Sequence, residues 1–255
     1  TVSQYLTDES CQKTIEYMTE GKPIIYSAPV KNTRKNTQGI IDLLVRSDII
    51  HKLIEEPPLT PEEASFASPL LNHNFHYVVI DIKFSTLPLR ADGKHILNSG
   101  HYPAYKAQTY IYNEAIGEIQ GYTSPFTFIM GRRWKFTQKD INHVNYTCLN
   151  KLGRIDFTGV DSGYPEKVQK ALDWVRDVKQ NGSQWSVNPP TRKELYPNIE
   201  VLKGNGLDPM MFEKKTFTHI LCNYFNIYSI EDKKRFFQNC YHWMKSGGYL
   251  IVHLV

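Results

Sequence analysis

The sequence predicts an α/β or α+β fold in which a mixed central sheet carries helices on its faces, and we adopt the α/β class. Four apolar, β-rich runs are typical of strands. They cover residues 24–30, 39–48, 78–86 and 127–134. Polar and apolar positions recur with helical spacing in residues 3–20 and 103–120. The order helix, strand, strand, strand, helix, strand indicates one sheet covered by helices.

A separate, smaller domain is predicted toward the end of the chain. Before it, the larger domain is predicted to end with an amphipathic helix at residues 166–179. The apolar face of this helix is formed by Val168, Leu172, Val175 and Val178. Beyond Asn198 the pattern changes to a strand and turn, a helix with a Ser-Gly-Gly stop, and a final strand. Two strands around one helix form a βαβ unit that belongs to another sheet. We therefore predict two domains, 1–198 and 199–255.

The composition is that of a globular intracellular protein. Hydrophobic residues make up 41% and charged residues 22% of the chain, which excludes the disordered and fibrous classes. The net charge of +4 is compatible with nucleic acid, although many enzymes share it. The four cysteines form no C-x-x-C pair, and the chain has no signal peptide or eighteen-residue apolar run. Because the chain opens on Thr1 and stops in an apolar run, we expect a piece of a longer protein.

An Asp and a Lys lie two positions apart in the strand-like run VVIDIKFST. Because side chains alternate along a strand, we expect Asp81 and Lys83 on one face, while Ile80, Ile82 and Phe84 fill the other. A simple ion pair, or an edge strand with one wet face, would explain both charges without a functional role. A functional interpretation requires further carboxylates and a ligand that explains the lysine.

A second carboxylate, Asp42, lies in the apolar run GIIDLLVRS, where a lone charge is costly to bury. Asp42 and Asp81 would give Mg²⁺ or Mn²⁺ two hard oxygen ligands, which water and phosphate could complete. Lys83 would then lie beside the metal-bound water and stabilise charge on a phosphate. Glu16 and Glu20 share one face of the first predicted helix, and Glu16 is our candidate for a further metal ligand.

A third motif lies on the predicted helix at residues 103–120, where Gln108 and Tyr112 are one turn apart on the same face. For this pair alone, an exposed or capped helix surface is the simpler explanation. The three motifs in order, G-x-x-D-L-L-V-R, D-I-K and Q-x-x-x-Y, are more specific than any one of them.

In this order and spacing the motifs resemble the PD-(D/E)XK nuclease superfamily, in its RecB-like branch, as encoded by large DNA viruses. The resemblance covers about residues 10–198 and implies a restriction-endonuclease-like fold. It also implies a Mg²⁺- or Mn²⁺-dependent deoxyribonuclease of viral DNA replication, recombination or repair, in the host cytoplasm or nucleus. The implied site residues are Asp42 and Asp81 as metal ligands, Lys83 as catalytic, and Gln108 and Tyr112 as positioning residues. Glu16 replaces an upstream histidine that many members have and this chain lacks.

The segments GNGLDPMMF, THILCNYFNIYSI and CYHWMKSGGYLIVHLV resemble the second half of a class I S-adenosylmethionine-dependent methyltransferase, a partial Rossmann-like βαβ segment. In that family, acidic or polar residues near Asn205 and Leu207 lie by the adenine. A generic βαβ fragment would explain the pattern equally well. Because no G-x-G-x-x-G-like loop follows a strand upstream, we expect no S-adenosylmethionine binding by this chain.

The leading functional prediction is therefore a metal-dependent nuclease that hydrolyses DNA phosphodiester bonds. One alternative is a catalytically silent nucleic-acid-binding module. The other is a fragment of an S-adenosylmethionine-dependent methyltransferase. For the first two, DNA is the expected partner.

Overall fold

A mixed sheet of six strands organises the first of the two units into which the chain divides, Thr1–Ser183 and Gln184–Val255. The computed structural model describes residues 1–185, 204–222 and 229–252. The strands of the first unit are β1 (Ile24–Asn32), β2 (Thr37–Arg46), β3 (Tyr77–Pro88), β4 (Phe126–Gln138), β5 (Ile141–Asn145) and β6 (Gly153–Asp156). The predicted coarse class, a mixed α/β sheet flanked by helices, is confirmed.

The strand directions follow from the connections between the strands. β1, β2 and β3 are antiparallel neighbours, while β3 and β4 are parallel. β5 and β6 are both antiparallel to β4. A parallel pair needs a long crossover, which is supplied here by helix α3 (Tyr102–Gln120).

The other helices of this unit are α1 (Asp8–Thr19), α2 (Pro61–Ala64) and α4 (Tyr164–Asn181). α1 begins later than the predicted residue 3, because Thr7 and Ser10 form a reciprocal capping box that fixes its first turn. α3 matches its predicted span closely and ends at Gly121, whose φ of 76° suits a glycine. Its inner face packs Ala115 and Ile116 into the main apolar cluster with β1 and β2.

Two expectations about side-chain placement are corrected, and two short strands are added that residue patterning did not predict. On β3, Ile80 is buried, but Ile82 and Phe84 are 42% and 85% exposed, so they do not fill a core face. On α4, Val168 is buried, whereas Val175 is exposed, because this helix packs chiefly against α3 rather than under the sheet. The short strands β5 and β6 were not expected from residue patterning, since four or five residues carry little periodic signal.

The second unit contains a parallel βαβ element formed by β7 (Phe217–Cys222), α5 (Ile230–Trp243) and β8 (Met244–Val252). Its core contains Cys222, Phe236 and Cys240. The Ser-Gly-Gly stretch predicted to stop the helix lies instead within β8, where the pairing slips between Met244 and Tyr249. The predicted domain boundary near Asn198 lies outside the described residues. Among the described helices, none is long and apolar enough to cross a membrane.

Candidate functional site

The carboxylates of Asp42 and Asp81 meet where the ladder between β2 and β3 ends. Leu43 pairs with Ile80, so the next residues along the two antiparallel strands, Asp42 and Asp81, come opposite each other. The backbone N–H of Ile82 donates to Asp42 Oδ2 at 2.7 Å. The side chain of Asp42 thus replaces a backbone acceptor and is held in place at the end of the ladder.

Asp81 is only 2% exposed, which is unusual for a carboxylate. Lys83 Nζ lies 2.7 Å from its Oδ2, so the charge of this buried oxygen is compensated by an ion pair. Burial raises the pKa of Asp81 to about 6, against the lowering effect of Lys83, and the negative charge of Asp42 adds to the increase.

A chain of polar contacts continues from Lys83 to α3. Lys83 Nζ donates to Gln108 Oε1 at 3.3 Å, and Gln108 Nε2 donates to the Tyr112 hydroxyl at 2.8 Å. Lys83 also lies 4.6 Å from the centre of the Tyr105 ring, a cation–π contact. The predicted residues Asp42, Asp81, Lys83, Gln108 and Tyr112 are thus brought together in one polar cluster.

Position 39, in the motif that contains Asp42, requires a glycine for a steric reason, which is the close approach of the Tyr112 ring. A Cβ atom at Gly39 would lie 2.4 Å from Cε1 of Tyr112, a separation that side chains do not tolerate. Glycine therefore lets the Tyr112 ring close against β2 and brings its hydroxyl within reach of Gln108.

Glu16 is not brought to this cluster. It lies on α1, its side chain is 45% exposed, and its carboxylate accepts from Lys13 Nζ at 2.8 Å. In the described parts of the chain, no hydrogen bond or ion pair joins Glu16 to Asp42 or Asp81. No group of three or more His, Cys, Asp and Glu side chains suited to a metal occurs among the described residues. The expectation for Glu16 assumed that its helix face turns toward the strand carboxylates, whereas Thr14 and Met18 form the buried face.

A buried ion pair lies elsewhere in the first unit, between α3 and the turn after β6. Lys106 Nζ is 2.6 Å from Asp161 Oδ1, and both side chains are fully buried. Lys106 also donates to the carbonyl of Ile96 at 2.7 Å, and Asp161 accepts from the Asp156 N–H at 3.2 Å. Burial lowers the pKa of Lys106, while Asp161 opposes that change. Sequence reasoning missed this pair, because 55 residues separate its members and neither lies in a distinctive motif.

In the second unit, a loop at residues 204–211 is fastened to α5. Asn239 Nδ2 donates to the carbonyl of Gly206, and Trp243 Nε1 donates to the carbonyl of Pro209, each at 3.0 Å. Leu207 packs on the apolar cluster of this unit. These contacts hold the loop, and with it the polar side chains of residues 204–211, in a fixed position on the βαβ element.

Comparison with known proteins gives one family match: residues 149–252 match a methyltransferase domain model. This is less than half of the chain. No curated protein matches the chain. S-adenosylmethionine is the usual cofactor of such domains, and the expectation that it does not bind here is at odds with this match.

The prediction of a PD-(D/E)XK nuclease, and with it of Mg²⁺- or Mn²⁺-dependent DNA hydrolysis, is wrong, because the matching family is a methyltransferase domain. That prediction rested on the spacing of three short motifs. The same spacing is found when the motif residues only form hydrogen bonds and an ion pair with one another. Lys83 pairs with Asp81, and Gln108 bonds to both Lys83 and Tyr112. The methyltransferase-like description of the C-terminal segment, given above as an alternative, fits the match better.

Proposed function

We propose that residues 149–252 are a segment of an S-adenosylmethionine-dependent methyltransferase, and that its cofactor contacts lie in the second unit. The observation that carries this proposal is the parallel element β7–α5–β8, which falls within the matched residues. S-adenosylmethionine supplies an electrophilic methyl group when it is bound.

The beginning of the matched segment does not fit the cofactor. The matched segment begins with a strand–turn–helix formed by β6, the turn at residues 157–163 and α4. Polar groups of this turn are already hydrogen-bonded or ion-paired within the protein. Asp156 Oδ1 accepts from the N–H groups of Thr158 and Gly159 at 3.0 and 2.8 Å. The carboxylate of Asp161 is fully buried against Lys106. The Asp161 carboxylate and the N–H groups of Thr158 and Gly159 are therefore not available to a ribose or a methionine moiety.

The loop at residues 204–211 fits the adenosine end better. Asn205 Oδ1 accepts from the N–H of Leu207 at 3.0 Å, and Asp208 Oδ1 accepts from the N–H of Met210 at 2.9 Å. These local bonds orient both side chains and leave the Asn205 amide group and Asp208 Oδ2 without a described partner. Both residues are exposed. An amide and a carboxylate beside apolar Leu207 can hydrogen-bond an adenine or ribose edge.

The location of the cofactor can be mapped by ultraviolet crosslinking of radiolabelled S-adenosylmethionine to the full chain, followed by peptide analysis. We expect the label in peptides that contain residues 204–222. A label confined to Thr1–Ser183 would contradict a cofactor site in the second unit. An excess of S-adenosylhomocysteine should remove specific label, which separates specific binding from random crosslinking.

We also propose that Asp42 and Asp81 bind a divalent cation, Mg²⁺ or Mn²⁺, as a site separate from the methyltransferase segment. This proposal is supported by the two carboxylates that lie opposite each other on neighbouring strands, those of Asp42 and Asp81, of which Asp81 is almost fully buried. Two carboxylates with water are a sufficient protein contribution for Mg²⁺. Lys83, Gln108 and Tyr112 would then hold Asp81 and the neighbouring water in position.

DNA remains our proposed partner for the surface beside this cluster. The proposal is supported by Phe84, which is 85% exposed, and by the Arg132 guanidinium, 4.8 Å from its ring centre. An exposed aromatic ring beside an arginine can stack a base and contact a phosphate.

We further propose a restriction-endonuclease-like topology for the first sheet, and the order of its strands supports this. This proposal concerns the fold alone and not an enzymatic activity. We also propose that the boundary between the two domains in the sequence lies near Asn198.

Replacing Phe84 with alanine should weaken binding of a labelled single-stranded oligonucleotide, since one stacked base contributes about 1–3 kcal/mol. Fluorescence anisotropy titration measures the effect. The control is Tyr5→Ala, which removes another exposed ring, 77% accessible, from the N-terminal segment. Equal loss in both variants, or no loss in Phe84→Ala, would exclude Phe84 as a stacking residue.

A further inference from the structure

A cavity in the second unit lies between the turn that precedes β7 and the first residues of β8. It has a volume of about 710 Å³, within the usual range for small-molecule sites. Three exposed lysines line it, Lys214, Lys215 and Lys245, together with His242 at the end of α5. Its lining contains no residue of the loop at residues 204–211, so it is distinct from the proposed adenosine contacts.

The positive charge of this cavity is not balanced by its surroundings. Its lining contains no Asp or Glu, and Glu213, which precedes the lysines in sequence, does not belong to it. Within the described parts of the chain, none of the three lysines forms an ion pair with a carboxylate. A cluster of like charges repels itself, and a bound polyanion removes that repulsion.

The turn that carries two of the lysines is fixed on the end of α5. The N–H of Lys215 donates to the His242 carbonyl at 3.1 Å, and the Thr216 hydroxyl donates to the Glu213 carbonyl at 2.7 Å. Lys215 has a left-handed φ of 60°, which is uncommon for a lysine. The backbone of this turn is therefore held in one conformation, and this wall of the cavity is preformed.

The other wall is a glycine-containing bulge at the beginning of β8. The strand pairing slips here, so that Thr218 on β7 lies opposite the four residues 245–248. Gly247 has a φ of 78°, and a Cβ at Gly248 would lie 2.9 Å from the Thr218 carbonyl oxygen. A side chain would thus be strained at the first glycine and would clash at the second. Bulges re-aim side chains beside binding sites, and this one places Lys245 in the same lining as the two lysines of the turn.

The carbonyl end of α5 opposes a bound anion only weakly. The end of a helix carries about half a negative charge, on carbonyls that lack a partner within the helix. Here the His242 carbonyl accepts from the N–H of Lys215, and the Cys240 carbonyl accepts from the N–H of Met244. Three ammonium groups therefore outweigh this partial charge, and the net field in the cavity favours an anion.

We propose that this cavity binds the pyrophosphate group of a small phosphorylated molecule, whose oxygens accept from Lys214, Lys215 and Lys245. A single phosphate carries only about −1.5 to −2 charges at neutral pH, too few for three ammonium groups. Linked phosphates present more anionic oxygens within a small volume. The cavity volume suits a small molecule rather than a polymer. The proposal does not depend on the methyltransferase assignment.

Calorimetric titration of the full chain with tripolyphosphate, inorganic phosphate and sulfate, in buffer without divalent cations, tests this proposal. We expect tripolyphosphate to bind about tenfold more tightly than the other two anions, or better. Lys245→Gln should weaken tripolyphosphate binding about tenfold, the scale of one charge-assisted hydrogen bond. Lys234→Gln is the matched control, because it removes the same charge from an exposed lysine of α5 that does not line the cavity. It should bind tripolyphosphate as the parent does.

Lys214→Gln should weaken binding by a similar factor, and thermal unfolding checks that each variant is folded. Tripolyphosphate binding no tighter than that of phosphate, or weakened equally by Lys234→Gln and Lys245→Gln, would overturn the proposal. Either result would describe a diffuse attraction to a basic surface rather than a site.

Cytidine triphosphate identifies the source of the pyrophosphate group. Binding as tight as that of tripolyphosphate, with the same loss in Lys245→Gln, supports a nucleotide, whereas binding of tripolyphosphate alone supports free polyphosphate. The double variant Asn205→Ala, Asp208→Ala should bind tripolyphosphate as the parent does, since neither residue lines this cavity. Failure of S-adenosylmethionine to bind therefore leaves this proposal intact, and the two proposals fail separately.

Discussion

Replacing Asp161 with alanine is expected to lower the free energy of unfolding by about 3–5 kcal/mol, the usual effect of breaking a buried ion pair. Asp161 and Lys106 are both fully buried and lie 2.6 Å apart. Removal of the carboxylate leaves the Lys106 ammonium group inside the protein with the Ile96 carbonyl as its one remaining acceptor among the described residues. The loss should be seen as a shift of the urea unfolding midpoint at constant slope.

Two further variants separate the ion pair from a general effect of the substitution. Asp173→Ala removes an exposed carboxylate paired with Arg176 on α4, and it should change the midpoint little. The double variant Lys106→Met, Asp161→Leu removes both charges and should recover most of the lost stability. If Asp161→Ala and Asp173→Ala shift the midpoint equally, the pair does not stabilise the fold as described.

Asp81→Asn is expected to lower the affinity for Mn²⁺ by about 100-fold or more, since even outer-shell partners of a metal typically account for 10–100-fold. Asp42→Asn should have a similar effect, because the two carboxylates form the proposed site. Glu16→Gln is the control, since Glu16 is paired with Lys13 and joins neither carboxylate. Calorimetry with the full chain measures each affinity. Equal losses in Glu16→Gln and Asp81→Asn would contradict the assignment.

The same cation affinity should depend on pH in a defined direction. The pKa of Asp81 is raised to about 6, chiefly by burial, so this carboxyl is mostly protonated below that pH. A protonated carboxyl does not bind the cation, and affinity should therefore fall about tenfold per pH unit below pH 6. Above pH 7 it should be constant. An affinity that is equal at pH 5 and pH 7 would exclude Asp81 as the ligand.

Much of the fold can be predicted from residue patterning, because long periodic segments have few alternatives. The four main strands and α3 are examples, as is the shared face of Asp81 and Lys83. The exposure of Phe84 could not be predicted, because an apolar residue on a strand is equally compatible with a core and with a functional surface.

The candidate sites were predictable only in part. Local spacing indicated the cluster of Asp42, Asp81 and Lys83, since its strand residues follow simple alternation. It could not indicate the pairing of Lys106 with Asp161, because that pairing depends on contacts distant in sequence. The family assignment failed for a related reason: a few motif residues cannot distinguish a satisfied polar network from a catalytic centre.

Calorimetric titration of S-adenosylmethionine into the full chain tests most directly whether the matched segment binds the cofactor that methyltransferase domains use. We expect saturable binding with a Kd of about 0.1–1 mM, or roughly −5 kcal/mol, because the loop at residues 204–211 contacts only the adenosine end. The double variant Asn205→Ala, Asp208→Ala should abolish it, and Lys83→Ala should retain it. No heat of binding up to several times that concentration, or binding unchanged in the double variant, would contradict a cofactor site in the second unit.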